Sequence, residues 1–418
     1  MLNFLFNFIF NFLFNYIFYN IMDNQFNSLL HQGDIDKALS LMTTNSERTA
    51  EALREYNPAS HAINKRHDKP IYDKNGNLKR WVKRWKLPID YPRYINEIAL
   101  VFIYGRPVVW RQLSTGTDEA FGHFSRLIQR LHFNAKIREC KRLAGAETQA
   151  ALLFHPYRNK QGKADCRLRV LAKSKGDDIY VAWDHFGCIK AFAWGYNATD
   201  MQGETNRHID FFTDQHIYHA IALEEVWKVT EEDNIIGKIP IVLFQQEKEW
   251  AGVEALIERE EYIASRNADT NDYFSDPMLI LDADIIKNMP DKNDENKTLI
   301  KRGGSSEAAA SYLTWDNAPE NKQKEIEWLQ NHILSKTFTP NIDFDNMKSL
   351  SNVSGKALKQ LMVLADIKAA RHKEQHDELL DRFTSICIAL IANVLDVSLK
   401  TQCDKLVITH EFQPPFED

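Results

Sequence analysis

The sequence predicts an α+β protein in which helical and strand-rich segments occupy separate stretches of the chain. Three observations lead to this class. Apolar residues recur at helical spacing in residues 23–54 and again in residues 118–142. Residues 150–244 change to short alternating segments separated by turn residues, which is typical of a meandering sheet. The helical pattern then returns and ends in one unusually long run, residues 356–394.

The composition is that of an ordinary globular chain of 418 residues, with 44% apolar and 26% charged side chains. A chain of this length buries a large core, which we expect to be divided between two or more units. The formal net charge of -6 excludes a protein that binds polyanions through its overall charge, so any contact with nucleic acid has to be local. The five cysteines form no C-x-x-C pair and are odd in number, which predicts a reducing compartment and no structural zinc.

The first 22 residues differ from the rest of the chain. They consist mainly of Phe, Leu, Ile, Tyr and Asn and are long enough to span a bilayer, but each buried Asn amide costs free energy in hydrocarbon. The stretch has neither a basic start nor a small-residue cleavage site, which argues against a secretory signal. We interpret residues 1–22 as a low-complexity hydrophobic leader outside the native protein, and a membrane anchor is the alternative.

A strongly basic segment follows the first helical region. Residues 65–93 carry ten Lys and Arg against three Asp, with Trp81 and Trp85 among the cations. Interleaved cations and aromatic rings can bind nucleic acid. The alternative is a solvated loop that anchors its two tryptophans in the core, and the sequence favours this second interpretation because large aromatic side chains are mostly buried.

A candidate metal site lies in the strand-rich region, in the stretch HIDFFTDQHIYH. It contains five side chains of metal-ligand type: His208, Asp210, Asp214, His216 and His219. Strand alternation sends neighbouring side chains to opposite faces of a sheet, so the five need not converge. We therefore keep a metal-dependent nucleic-acid-processing enzyme as the alternative function, and a half-exposed strand pair as the structural interpretation of the same residues.

The stretch SLSNVSGKALKQLM, residues 349–362, places a Gly-Lys pair directly before the long helix. A P-loop requires G-x-x-x-x-G-K-[ST], whereas here Leu350 stands five residues before Gly355 and Ala357 follows Lys356. The pair is better explained as a sharp turn into a helix with a small polar N-cap. The middle of the helix reads as charged all round, so we expect it to bridge two cores or to be covered by a neighbouring chain.

Two helical segments enclose a strand-containing insert in the C-terminal half. The first, residues 253–270, carries an apolar stripe and is followed by the strand-like stretch PMLILDADII. A polar stretch and a second strand-like stretch, SYLTWD, come next. The second helix begins at Pro319, a favourable first-turn residue, and ends before Pro340.

In this order of parts the chain resembles the portal proteins of tailed bacteriophages, of the type found in long-tailed siphoviruses. The resemblance covers most of residues 91–381 and rests on four stretches: PRYINEIALVFIYGRPVVW; NIIGKIPIVLFQQEKEWAGVEALIEREEYIASRNADTNDYFSDPMLIL; YLTWDNAPENKQKEIEWLQNHILSKTFTPNIDFDN; and SNVSGKALKQLMVLADIKAARHKE. The succession of a Gly-Lys-Ile-Pro strand, a first helix, a second helix and a Ser-Gly-x-Ala-Leu-Lys helix start is more specific than one short motif.

The resemblance implies a portal fold with a mixed α/β wing, two stem helices that bracket a small strand-containing clip, a tunnel loop and one long wing helix. The implied parts are the wing (residues 23–250), the stem helices (251–275 and 319–340), the clip (276–318), the tunnel loop (341–355), and the long wing helix with a closing wing strand (356–418). Family members usually continue into a helical crown, which we expect to be missing because the sequence stops at HEFQPPFED.

By this resemblance the chain is expected to form a twelve-subunit ring at one capsid vertex, in the virion and in the host cytoplasm during assembly. The implied partners are further copies of the chain, the terminase large subunit, a head-tail adaptor, the major capsid and scaffold proteins, and double-stranded DNA that passes through the channel. We expect no membrane contact, no cofactor and no catalytic residue. The energy for DNA movement would come from a separate ATPase, since this sequence contains no Walker motif.

The resemblance places the DNA-facing residues in the tunnel loop and at the start of the helix after it. The candidates are Asp343, Asp345, Asn346, Lys348, Ser349, Asn352 and Lys356. A conduit must not hold its cargo, and each Lys or Arg set against a phosphate adds salt-dependent affinity. We therefore expect only Lys348 and Lys356 to contact phosphates, and only transiently. For Lys356 a solvated first-turn residue is the alternative.

Overall fold

The computed structural model describes residues 26–199, 201, 203–224, 226–275, 278–282, 300–302, 311–313, 319–342 and 355–413. The predicted α+β class is confirmed. Two compact units divide the chain. The first unit contains Met1–Leu53, Asn96–Glu249 and Ala365–Asp418, and the second contains Arg54–Ile95 and Trp250–Leu364. The leader predicted for residues 1–22 lies outside the described residues.

The helices follow the apolar periodicity of the sequence. They are α1 (Ile35–Ser40), α2 (Ser46–Tyr56), α3 (Tyr91–Tyr104), α4 (Asp118–Arg130), α5 (Phe133–Glu147), α6 (Glu254–Ser275), α7 (Pro319–Lys336), α8 (Gly355–Leu390) and α9 (Lys400–Cys403). The strands are β1 (Lys69–Tyr72), β2 (Leu78–Val82), β3 (Val109–Gln112), β4 (Gln149–Arg158), β5 (Ala164–Leu171), β6 (Asp178–Trp183), β7 (Ile189–Thr199), β8 (Thr205–Phe212), β9 (His216–Leu223), β10 (Val226–Asp233), β11 (Ile241–Gln245), β12 (Met278–Asp282), β13 (Ile300–Arg302), β14 (Ser311–Leu313) and β15 (Ile408–Glu411).

The first unit contains three antiparallel sheets, of which the smallest pairs only β3 with β15. Strands β6 to β10 form a five-stranded meander in the order β10-β9-β8-β7-β6, as the alternation predicts. Strands β4, β5 and β11 do not join this sheet, and the expectation of one continuous sheet over residues 150–244 is wrong. A helical turn at Lys173–Lys175 and a left-handed Gly176 (φ +84°) redirect the chain after β5, so that β6 starts a new sheet.

The two larger sheets of the first unit pack apolar residues on both faces. One face of β4 packs Ala151 and Leu153 against Phe192 and Phe212 of the meander. The opposite face of the three-stranded sheet packs against α4, α5 and the C-terminal half of α8. The second face of the meander is covered by the N-terminal helical segment. This explains why β4 is apolar at successive positions instead of alternating.

The helix predicted for residues 118–142 is two helices. It breaks at His132, which takes a left-handed conformation with φ +51°, and α5 then continues to Glu147. The break lets both helices bury an apolar face in the same core, with Phe124 on α4 and Phe133 on α5 each next to the Trp110 ring. A left-handed residue other than Gly carries no strong sequence signal, so the sequence does not reveal the break.

The long helix α8 also differs from its prediction. It starts at the Gly-Lys pair as predicted, contains 36 residues, and is followed by a π-helical turn at Ile391–Leu395. Its middle is not charged all round, because His372 and His376 turn inward within the first unit. Burial lowers the pKa of His376, and the neutral ring accepts a hydrogen bond from the Tyr104 hydroxyl at 2.6 Å between Oη and Nδ1. Coverage by another chain is therefore not needed for this part of the helix.

The second unit holds the elements that enclose the predicted insert. Helices α6 and α7 lie against each other, with Arg259 donating to Glu325 at 3.1 Å and 2.8 Å. Between them in sequence, β12 pairs with β13 in parallel and with β14 in antiparallel orientation. The unit also contains the β1-β2 hairpin, formed by the basic segment.

Candidate functional site

The predicted DNA-facing residues fall almost entirely outside the described structure. Asp343, Asp345, Asn346, Lys348, Ser349 and Asn352 belong to that group. Only Lys356 lies within a described element, in the first turn of α8, which begins at Gly355. This agrees with the prediction that the Gly-Lys pair starts a helix. The role of these residues toward DNA stays a prediction.

The candidate metal ligands in β8 and β9 do not converge. Asp210 and His219 are cross-strand partners with 2.7 Å between Oδ1 and Nδ1, and His208 stacks on the Tyr196 ring on the same face of the sheet. His216 points to the other face, where its Nδ1 lies 3.1 Å from Glu231. Within the described part of the chain, no three His, Cys, Asp or Glu side chains are grouped so as to hold a metal ion.

Asp210 and His219 form a local ion pair. The hydrogen bond to Asp210 raises the pKa of His219, although burial acts in the opposite direction. Because the candidate ligands do not converge, the metal-dependent enzyme receives no support from these residues.

A different polar site runs along one face of α6 in the second unit. An extended segment, residues 85–91, which we call the strap, donates three alternate backbone amides to side chains one helical turn apart. The amide of Trp85 donates to Asp269 at 2.8 Å, that of Leu87 to Ser265 Oγ at 2.9 Å, and that of Ile89 to Glu261 at 2.8 Å: each pair steps two residues along the strap and four along the helix. Two extended residues span about 6.6 Å and four helical residues about 6 Å, so the two repeats match.

Further side-chain contacts fasten the two ends of the strap. At one end, Arg66 bonds to Asp269 at 2.6 Å and the indole of Trp85 donates to Asp272 at 2.5 Å. At the other end, the Tyr91 hydroxyl donates to Glu260 at 2.9 Å. Burial, and then the charge of Glu260, raise the pKa of Tyr91, so this hydroxyl stays a donor.

His61 is the charged anchor of this site. Its Nδ1 lies 2.5 Å from Glu261 and its Nε2 lies 2.7 Å from the carbonyl oxygen of Glu55. Both partners can only accept, so the ring donates from both nitrogens as an imidazolium. The hydrogen bond to Glu261 raises the pKa of His61 and outweighs the effect of burial. The result is a buried ion pair that closes the strap on the helix.

The first unit contains a second buried ionic cluster, centred on Glu249 in the segment after β11. Its carboxylate lies 2.5 Å from Lys141 on α5, 2.8 Å from Lys368 on α8 and 3.1 Å from His372 on α8. The side chains of Lys141 and Glu249 are 0% and 2% exposed. Burial alone would raise the pKa of Glu249, but Lys141, His372 and Lys368 together hold it well below its usual value. The cluster ties α5, α8 and the segment after β11 together.

Neither polar site has the arrangement of a catalytic centre. Every charged group in them is bonded to another side chain or to a backbone amide, which suits holding segments in place. The sequence patterns predicted neither site. The signal for the strap was Glu261, Ser265 and Asp269 at a four-residue spacing on α6, and the signal for the cluster was Lys141 beside the buried Cys140 and Ala144 on α5.

The fold and these sites define a class, an α+β scaffold protein whose buried polar groups connect its own segments. The family can be named as well. A family model described as "Phage portal protein, SPP1 Gp6-like" matches residues 41–415, which is most of the chain. The chain therefore belongs to the phage portal protein family, and the resemblance inferred from the sequence is confirmed.

Two further findings bear on this assignment. No curated protein matches the chain. Among the described residues, no helix is both long and apolar enough to cross a lipid bilayer. The family connects the chain with the bacteriophage capsid and genome packaging, and portal proteins are generally structural components.

Proposed function

We propose that this chain assembles into a ring, of twelve subunits by the family resemblance, at one vertex of the phage capsid, where it acts as the conduit for DNA during packaging and ejection. The observation that carries the proposal is the family match over residues 41–415. The proposal assigns the motor activity to a separate ATPase and no catalytic role to this chain.

We assign the parts of the ring from the order of elements. Helices α6 and α7 are the stem helices, and β12, β13 and β14 between them belong to the clip. The first unit supplies most of the wing, residues 341–355 are the tunnel loop, and α8 leads from that loop back into the wing. Support comes from the succession of helix, three short strands, helix and one long helix, which follows the order expected for a portal.

The charges fit a conduit that does not hold DNA tightly. The proposed tunnel loop carries Asp343 and Asp345 against Lys348. Each phosphate neutralised by a cation would add salt-dependent affinity and would slow the passage of the duplex. Lys348 and Lys356 remain as sparse cations that, repeated around a ring, would touch the phosphates transiently.

The strap on α6 supports the stem assignment. A stem helix beside a moving duplex has to keep its position. Backbone amides of the strap donate hydrogen bonds to three successive turns of α6, and the His61–Glu261 ion pair adds a further contact. We infer that the clip docks the terminase large subunit and then the head-tail adaptor, and that the outer surfaces meet the major capsid and scaffold proteins. The ring would assemble in the host cytoplasm and end in the virion.

Assembly of the purified full-length chain tests the proposal. Mass photometry is expected to show a ring of about 580 kDa, twelve times the 48.6 kDa subunit, and negative-stain images should show a central hole. Lys348→Ala with Lys356→Ala should leave the ring intact and change the salt dependence of DNA passage in a packaging assay. A chain that stays a single subunit at every concentration, also beside its capsid protein, would refute the ring.

A further inference from the structure

The basic segment forms an exposed hairpin and not the loop with buried tryptophans that the sequence favours. We call β1, β2 and the cations that follow, up to Lys86, the cationic hairpin. Its strands pair in antiparallel register, with a bulge near Tyr72, around a turn in which Asp73 accepts the amides of Asn75 and Asn77. The side chains of Trp81 and Trp85 are 58% and 48% exposed. The expectation that these tryptophans anchor in the core is therefore wrong.

The cations of the hairpin form no close ion pairs within the part of the chain that the structure describes. None of the ion pairs there involves Lys69, Lys79, Arg80, Lys83 or Lys86, although Lys79 lies within electrostatic reach of Asp73. The acids of the segment serve other roles: Asp68 accepts the amide of Arg84, Asp73 caps the turn and Asp90 pairs with Arg93. The positive charge is therefore free for another molecule.

The apolar surface of the hairpin is as unusual as its charge. Tyr72, Leu78, Trp81 and Val82 are between 38% and 59% exposed, on two strands that are otherwise solvated. A two-stranded hairpin is at best marginally stable in water and needs a third strand or a packing partner. Exposed Trp and Tyr beside Arg are also the side chains that dominate protein interfaces. A phosphate backbone would match the charge but would not cover the apolar side chains.

The charge balance of the chain indicates the partner. Residues 65–93 carry ten cations and three Asp, a charge of +7, while the whole chain has a charge of -6. All other residues together therefore carry -13, since -6 minus +7 is -13. A second copy of the chain thus carries a net negative charge outside its own hairpin segment, and this charge attracts the hairpin.

We propose that the cationic hairpin is an arm that docks on an acidic surface of the next copy of this chain. The inference rests on the proposed ring and specifies one of its contacts. The base of the arm is held rigidly, because Arg66 and Trp85 are fixed to Asp269 and Asp272 on α6. In a ring each subunit gives its hairpin to one neighbour and receives the hairpin of the other, so the contact is head-to-tail and closes with the ring.

A pair of double charge reversals tests the arm. Lys79→Glu with Lys83→Glu changes two exposed hairpin lysines, and Lys160→Glu with Lys163→Glu changes two exposed lysines near the turn between β4 and β5. Both variants alter the net charge equally. Circular dichroism and thermal unfolding of each full-length variant confirm its fold, and mass photometry over a concentration series gives the midpoint of assembly. Trp81→Ala is measured in the same way.

We expect the hairpin double variant and Trp81→Ala to raise the assembly midpoint at least tenfold while their unfolding stays that of the parent chain. The control double variant should assemble like the parent. The chain with the charge-reversed hairpin still has its own acidic surface, so it should bind the free hairpin of a parent subunit. When it makes up less than one quarter of a mixture with the parent chain, it should therefore stop rings from closing.

Three results would overturn the arm. The first is a hairpin variant that assembles at the parent midpoint, and the second is a control variant that fails equally. The third is a hairpin variant that assembles normally but loses affinity for a duplex DNA fragment, which would make the hairpin a nucleic-acid site. If the parent chain forms no ring, the proposed function fails together with the arm. If the parent chain forms a ring and the hairpin variant does too, only the arm fails.

Discussion

Replacing Glu249 by Gln removes the only carboxylate that contacts both Lys141 and Lys368 among the described residues. The side chain keeps its size, so the change is one of charge. Lys141 is fully buried, and it would be left with Gln246 as a neutral hydrogen-bond partner. Breaking a buried ion pair by removing one partner typically costs about 3–5 kcal/mol. Burial already lowers the pKa of Lys141, so loss of the proton from Lys141 would relieve part of this cost. We therefore expect a loss of stability near the lower end of that range.

Thermal unfolding of the full-length protein measures the effect. For a folded unit of this size, 1 kcal/mol shifts the midpoint by about 2–4 °C, so we expect Glu249→Gln to lower it by about 6–20 °C. Glu247→Gln, an exposed neighbour in the same segment, is the matched control and should change the free energy of unfolding by less than about 0.5 kcal/mol. A loss below about 1 kcal/mol for Glu249→Gln would refute the argument that this cluster carries buried charge.

The pH dependence provides a second check on the same cluster. The pKa of Glu249 lies well below its usual value in the folded chain, so its contribution is present above the pKa of an unfolded Glu and is lost as the pH falls through the folded value. Only the parent carries this carboxylate, so the stability difference between the parent and Glu249→Gln should shrink as the pH falls below the usual glutamate range.

Two further predictions concern close packing and the strap. A Cβ at Gly145 would lie 2.1 Å from Oδ1 of the buried Asn96, so Gly145→Ala should destabilise the first unit by about 1–3 kcal/mol in thermal unfolding. The control, Gly122→Ala, lies in the open interior of α4 and should stabilise the unit by about 0.5–1 kcal/mol. Equal effects of the two substitutions would contradict the close packing at Gly145. The hydrogen bond to Glu261 raises the pKa of His61, so the pair stabilises the strap below the usual histidine pKa and weakens as the pH rises through the folded value. Hydrogen exchange at the Ile89 amide, corrected for its intrinsic rate, should therefore accelerate with pH in that window. Protection that does not change with pH would contradict this prediction.

Periodicity was enough to predict most elements of this fold. The helices around the insert, the long helix and the meander follow from patterns within one segment, because each buries one face. The division of the strands into two sheets did not follow, since it depends on a turn at Gly176 and on partners far away in sequence. The break at His132 was invisible for a related reason: a left-handed residue other than Gly carries no strong sequence signal.

The polar sites were less predictable than the elements. A lysine on the apolar face of α5 indicates a buried charge, but the Glu249 that binds it lies more than a hundred residues away. Lys368, which binds the same carboxylate, lies more than a hundred residues further along the chain, and no local pattern connects the three. The tryptophans of the basic segment were assigned to the core because aromatic residues usually lie there. Trp81 is exposed because it lies on β2, a strand whose five residues all remain exposed.

The first unit is assembled from three separate stretches of chain, and its last strand pairs with one of its earliest. β15 binds β3 in antiparallel register from Ile408 to Glu411, almost three hundred residues after β3 has been made. During synthesis β3 therefore waits with an open edge until β15 has left the ribosome. A polypeptide without β15 would keep that edge unpaired and expose it to proteases and chaperones. Synthesis of β15 thus becomes a condition for a closed unit.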